Sequence, residues 1–257
     1  MKIGVFDSGV GGITVLKELR KQFPGHEYLY FGDTANVPYG TKSPTQIQSL
    51  VTSASERMKT QGIEALVIAC NTASSLAFQQ FKNTLSPMPI LDVVEAGVKS
   101  VTDALASPST PILILGTRAT VRSRIYSTLL KKIDPNYHIF EQECPLLVPL
   151  IEEGWIHHPV MELTVQEYVR SYQSLEPGVA LLACTHYPWI KGGIEKYLPQ
   201  WTVIDSAKAL AQIAEQHLQL STSAPHSSLT SMQWYFSDPD SIARNVLNEI
   251  HSAPSKF

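Results

Sequence analysis

Along the chain, short apolar runs alternate with stretches in which apolar residues recur every three to four positions. The runs fall at 2–6, 27–31, 64–69, 88–91, 111–115, 137–140, 179–183, 202–204 and 232–236, each of strand length. The stretches of helical period fall at 11–22, 43–61, 73–84, 94–106, 118–131, 159–174 and 206–219. Strand and helix in alternation predict an α/β protein with parallel sheets flanked by helices. Two distant runs read almost alike: ALVIACNT at 65–72 and ALLACTH at 180–186. Each ends on a cysteine followed by small polar residues, as one supersecondary unit used twice would. Parallel α/β folds hold ligands outside the carboxyl ends of their strands, so the pattern puts Cys70 and Cys184 at ligand-bearing edges.

Turn-forming residues divide the chain further. SPSTP at 107–111 reads as a passage between lobes, and TSAPHSS at 222–228 as a mobile surface loop. Asp238-Pro239 reads as the start of a last helix, with an N-cap residue before a first-turn proline. The expected division is a first lobe at 1–96 joined by 207–257, and a second lobe at 97–206.

Composition narrows the partners. A net charge of −3 with 17% charged residues gives no footprint for nucleic acid or a membrane surface, and a small molecule fits better. No apolar stretch approaches bilayer-spanning length, and Asp7 interrupts the opening run before a signal-peptide core forms, so a cytoplasmic protein is expected. A homo-oligomer, in the simplest case a dimer, is also expected. The three cysteines cannot all pair and are expected to be free thiols. CxxC and HxxxH spacings are absent from the sequence, so no structural metal site is expected.

The candidate chemistry lies at strand ends. DSGVGG at 7–12 either offers backbone amides to an anion or is a tight turn that needs glycine. As a dinucleotide fingerprint it lacks the third glycine, where Thr14 stands. Asp33, in GDTANVPYG at 32–40, either serves a ribose or closes an Asx-turn, the second being favoured, while Tyr39 and Gly40 can offer a hydroxyl and an amide. Taken singly, Cys70 and Cys184 would be buried small hydrophobes. Their matched positions, with Asn71-Thr72 after one and Thr185-His186 after the other, point to reactive thiols instead. Forming a thiolate at pH 7 from an ordinary thiol costs about 2 kcal/mol, within reach of a helix N-terminus or an imidazole such as His186. Asp7 can assist the other thiol by holding a proton or orienting an ammonium. Cys144 is followed by Pro145 rather than by hydrogen-bonding residues and reads as structural, and His157 and His158 read as surface or helix-start residues. Glu152 and Glu153 end a helical run at 145–151, either solvated or with one of them lining a cleft.

Seven segments in this order, FDSGVGG, YFGDTANVPYG, ACNTAS, ILDVVEAG, LGTRATVRS, CPLLVPLIEEG and ACTHYP, closely resemble the glutamate racemases of the aspartate/glutamate racemase superfamily. The resemblance runs from residue 3 to about 206. It implies two pseudo-symmetric α/β lobes, each a parallel-rich sheet flanked by helices, with the active site in the cleft between them. It further implies interconversion of L- and D-glutamate without a cofactor, supplying D-glutamate for peptidoglycan. By matching positions, Cys70 and Cys184 would be acid/base thiols on opposite faces of Cα, assisted by Asp7 and His186, with Glu152 near the second thiol. Ser8, Tyr39, Gly40, Asn71, Thr72 and Thr185 would bind the substrate carboxylates and ammonium. Ala183 and Ala207 stand where glycine is usual, small for small.

The rival readings are an aspartate or broad-specificity racemase, a nucleotide-binding oxidoreductase using Gly9, Gly11 and Asp33, and a noncatalytic amino-acid-binding protein.

Overall fold

The computed structural model describes residues 1–220 and 231–241. Its first half runs β1 (Lys2–Asp7), α1 (Ile13–Gln22), β2 (Glu27–Gly32), α2 (Pro44–Lys59), β3 (Ala65–Ile68), α3 (Asn71–Leu85), β4 (Ile90–Asp92) and α4 (Val93–Ala104). Its second half runs β5 (Ile112–Gly116), α5 (Arg118–Ser123), α6 (Ile125–Ile133), β6 (Ile139–Glu143), α7 (Leu147–Glu152) and α8 (Pro159–Val169). There follow β7 (Val179–Ala183), α9 (Lys191–Tyr197), β8 (Thr202–Ile204), α10 (Ala207–Leu218) and β9 (Met232–Phe236).

All pairing among the described strands is parallel, in two sheets of order β4-β3-β1-β2-β9 and β6-β5-β7-β8. Reversed, the second order is β8-β7-β5-β6, which repeats β4-β3-β1-β2 strand for strand. The two lobes are thus pseudo-symmetric, and β9 extends the first sheet beyond β2. The repeat reaches individual residues. Asp92 caps α4 by accepting from the Val94 and Glu95 amides, and Asp205, at the matching strand end, accepts from the Ala207 amide at the start of α10. Register carries it to the thiols: Phe6 pairs with Ile68 and Gly116 with Ala183, so the chains leave the sheets with Ser8 beside Cys70 and Thr117 beside Cys184.

Helix α2 shows how local sequence sets an element. Ser43 accepts from the Gln46 amide while the Gln46 side chain accepts from the Ser43 amide, and Pro44 takes the first helical position. Ile47, Val51, Ala54 and Met58 then bury one face. Two helices tie the lobes together. From α4, Val93 and Ala96 enter the first lobe's core, while Val94 and Val101 pack with Ile112, Ile114, Leu181 and Ala183 of the second. Helix α10 follows a second-lobe strand yet buries Leu210, Ile213, Ala214 and Leu218 against Ile3, Val5, Leu16 and Leu19 of the first.

Where the structure departs from expectation, the causes are local. The helix foreseen over 118–131 is two helices, broken at Arg124 in the left-handed region (φ 57°). The helix foreseen over 159–174 ends at Val169, with a 3₁₀ turn at Arg170–Tyr172. Helix α9 carries Gly192 and Gly193, which weaken any helical signal, and it forms because Ile194 and Leu198 are buried in the second core. The loop foreseen at 222–228 lies outside the described residues. Of the helix foreseen from Asp238-Pro239, a 3₁₀ turn at Pro239–Ser241 is described and the rest lies outside them. Among the described residues no helix is long and apolar enough to cross a membrane.

If α10 belongs to the first lobe's core, Leu210→Ala should lower stability by about 2–5 kcal/mol. Urea denaturation checks this, and a loss below about 1 kcal/mol would contradict the packing.

Candidate active site

Both cysteine segments reach the cleft at carboxyl ends of strands. Cys70 follows β3 and caps α3, its sulfur accepting from the Ala73 amide at 3.5 Å and donating to Ser8 Oγ at 3.4 Å. Burial pushes the Cys70 thiol up to about 12, and the nearby Asp7 carboxylate adds to the effect. Cys184 follows β7, with its sulfur 3.9 Å from His186 Nδ1. The other ring nitrogen of His186 stands 2.5 Å from Glu152 Oε1. Burial works against a charged imidazole here, but the hydrogen bonds to Cys184 and Glu152 and the Glu152 charge outweigh it. The His186 pKa is raised well above 6.5. Asp7 is fully buried and accepts from the Gly9 amide and from Thr185 Oγ1, each at 3.0 Å. Desolvation raises its pKa above the usual carboxylate value, against the His186 charge and these hydrogen bonds.

The glycine turn at 9–12 brings the lobes together. Neither Gly9 nor Gly11 has positive φ, so backbone freedom is not what glycine supplies there. A Cβ at Gly9 would collide with Glu152 Oε1, and one at Gly11 with His186 Nδ1 and Thr185 Oγ1. Space is the requirement. The Val10 amide donates to Glu152 Oε1 at 3.4 Å, and Thr14 Oγ1 donates to the Thr185 carbonyl at 3.2 Å.

Of the residues singled out from sequence, Ser8, Tyr39, Gly40, Cys70, Asn71, Thr72, Cys184, Thr185 and His186 line one cavity, with Pro38, Thr117 and Val148. Asp7 and Glu152 stand behind that wall, on Thr185 and His186 respectively. The Tyr39 hydroxyl, expected to be offered to a ligand, donates instead to Asp33 Oδ2 at 2.6 Å. Asp33 also accepts from Asn36 and from Ser237, beyond β9, so its carboxylate braces the 33–39 loop. Cys144 lies in the second core, its sulfur donating to the Gln142 carbonyl at 3.7 Å. His158 caps α8 through Nδ1, and His157 and Glu153 are exposed. A wider surface depression lined by Lys17, His157, Trp189 and Lys208 holds neither of the paired thiols.

Sequence reasoning passed over Thr117, Thr120, Tyr126 and Val148. Thr117 Oγ1 lies 2.9 Å from Thr72 Oγ1 and 3.0 Å from Thr120 Oγ1, and Tyr126 donates to Asn71 Oδ1 at 2.5 Å. A signal existed for the first. LGTRATVRS ends β5 as FDSGVGG ends β1, so the duplication that paired the cysteines also pairs Thr117 with Ser8.

Each of the two parallel α/β lobes thus brings one thiol to a shared cavity. The chain belongs to the Asp/Glu/hydantoin racemase family, whose model matches residues 11–214. A glutamate racemase of Syntrophus aciditrophicus is 42% identical over 220 residues, covering 85% of this chain and 80% of the relative. The crystal structure of a glutamate racemase from Francisella tularensis in complex with D-glutamate superposes with a TM-score of 0.87 at 32% identity, covering 98% of this chain and 93% of that one. One from Campylobacter jejuni gives 0.85 at 30% identity, covering 97% and 96%.

The His186–Glu152 pair sets a pH dependence. A folded pKa above the unfolded value near 6.5 means that the stabilisation is fully present below pH 6.5 and is lost as pH rises through the raised value. Glu152→Gln should lower the His186 pKa toward its ordinary value, read by NMR titration of the ring, and cost about 1.5–3 kcal/mol at about pH 6, where the imidazole is charged and a carboxylate is ionised. An unmoved His186 titration would contradict the pairing.

Proposed function

We propose that this chain interconverts L- and D-glutamate at the interlobe cavity without a cofactor, one thiol removing the Cα proton and the other returning one to the opposite face. The observation that carries the reading is the pair of buried thiols, at matching positions of the two lobes, lining one cavity. Inversion at carbon needs a base on one face and an acid on the other, and a duplicated lobe supplies both.

The two thiols do not have equivalent surroundings. With its pKa near 12, Cys70 keeps its proton at pH 7, an ionisation cost of about 7 kcal/mol, and so rests as the acid. The His186 imidazole stands 3.9 Å from the Cys184 sulfur and, when protonated, offsets negative charge there, which suits Cys184 to take the substrate proton in one direction. After turnover in that direction the protons are reversed, and solvent exchange restores them.

The carbanion needs donors at the substrate carboxylate, each worth about a hundred- to a thousandfold in rate where it is held in place. The backbone amides at the N-terminus of α3 and the Asn71 side-chain amide are available for this. Asp7, beneath Thr185, balances the substrate ammonium. In a cytoplasmic setting the product D-glutamate would feed peptidoglycan synthesis.

Incubation with L-glutamate and no added cofactor, followed by chiral chromatography, should yield D-glutamate; aspartate turned over faster would reassign the substrate. Cys70→Ala and Cys184→Ala should each lower turnover in both directions by more than about a thousandfold with circular dichroism unchanged. Near-normal turnover in either variant would remove that thiol from the mechanism.

A further inference from the structure

Asn71 opens α3 with its side chain buried, and its two amide atoms are treated differently. Oδ1 accepts from the Tyr126 hydroxyl at 2.5 Å, while Nδ2 has no partner among the described residues. Shape alone does not tell an amide oxygen from its nitrogen, but distance does. A separation of 2.5 Å suits O–H···O and is too short for N–H···O, so the oxygen faces Tyr126. The nitrogen, on the other limb of the amide, is buried without a hydrogen-bond partner in a residue that lines the cavity.

Tyr126 is built to hold this bond. It is fully buried on α6 of the second lobe, so the bond joins one lobe to the other. Burial first, and then the charges of Asp92 and Cys184, keep its phenol pKa well above the ordinary value, so the hydroxyl remains a donor. Its second acceptor, the Val93 carbonyl, is farther away at 3.4 Å. The ring seats on Gly97 of α4, where a Cβ would lie 2.8 Å from both Cε1 and the hydroxyl oxygen. That accounts for the glycine ending ILDVVEAG, which no contact with the cavity explains.

We infer that Tyr126 is a positioning residue: by donating to Asn71 Oδ1 it fixes the amide with Nδ2 toward the cavity, presenting a donor to a carboxylate oxygen of the bound amino acid. The donor is in place only when the second lobe is seated against α3, so lobe approach and carboxylate recognition are linked. The substrate half of this inference rests on the racemase reading; the amide orientation does not.

The test compares the whole protein with Tyr126→Phe, Gly97→Ala, Asn71→Ala and the Tyr126→Phe/Asn71→Ala double variant. Tyr126→Phe should lower kcat/KM for both glutamate enantiomers about five- to tenfold. Gly97→Ala, which keeps the hydroxyl but displaces it, should act in the same direction. In the Asn71→Ala background, Tyr126→Phe should change kcat/KM by less than about twofold, since a positioning residue has nothing left to position. Equal losses in both backgrounds would make Tyr126 merely structural and overturn the inference. An independent readout is the pair of Asn71 side-chain amide signals in ¹⁵N NMR of the ligand-free protein, identified by their loss in Asn71→Ala. They should move in Tyr126→Phe, and unmoved signals would overturn the orientation. A wild-type protein that fails to racemise glutamate would sink the proposed function, while the amide signals would still decide the role of Tyr126.

Discussion

The site depends on how closely one turn of the first lobe approaches the second. At 9–12 the backbone lies where any side chain on Gly9 or Gly11 would strike Glu152, Thr185 or His186. That approach lets Thr185 reach Asp7 and brings the Val10 amide to Glu152, so the groups behind the two thiols belong to one buried network. A proton or charge placed on one side is felt on the other. His186 tempers the desolvation of Asp7, and Asp7 adds to the rise at Cys70. The approach is sustained from a distance by α4, which enters both cores, and by α10, which returns to the first.

The sheets were largely legible because each core strand is a short unbroken apolar run, the signature of a strand buried on both faces. ALVIACNT and ALLACTH also exposed the internal duplication. Less legible was whatever depends on contacts between elements. Gly192 and Gly193 hid α9, whose helical state comes from burying Ile194 and Leu198. Arg124 breaks a helix at a residue with no sequence mark of a break.

In the site, residues beside the cysteines could be read because the strand end places them. The chain's periodicity left Glu152 either solvated or lining a cleft, the family resemblance put it near the second thiol, and α7 sets it against His186. Tyr39 was noticed for its hydroxyl, yet that hydroxyl is taken by Asp33, an acid favoured as a turn residue and found bracing the loop. Tyr126 carried no signal, because its partner lies 55 positions away in the other lobe. Polar residues that bind a ligand and those that hold them in place look alike in a sequence. Only the direction of each hydrogen bond separates them.

The central claim is that two thiols, on opposite faces of Cα, hold separate protons. Reaction in D₂O from either pure enantiomer, quenched early, separated chirally and weighed by mass spectrometry, tests it most directly. A two-thiol site places solvent deuterium in the product while unconverted substrate stays protiated, because the thiol that takes the proton is not the one that returns it. Early product retaining substantial Cα protium would show one base working on both faces and would contradict the mechanism even with racemase activity intact.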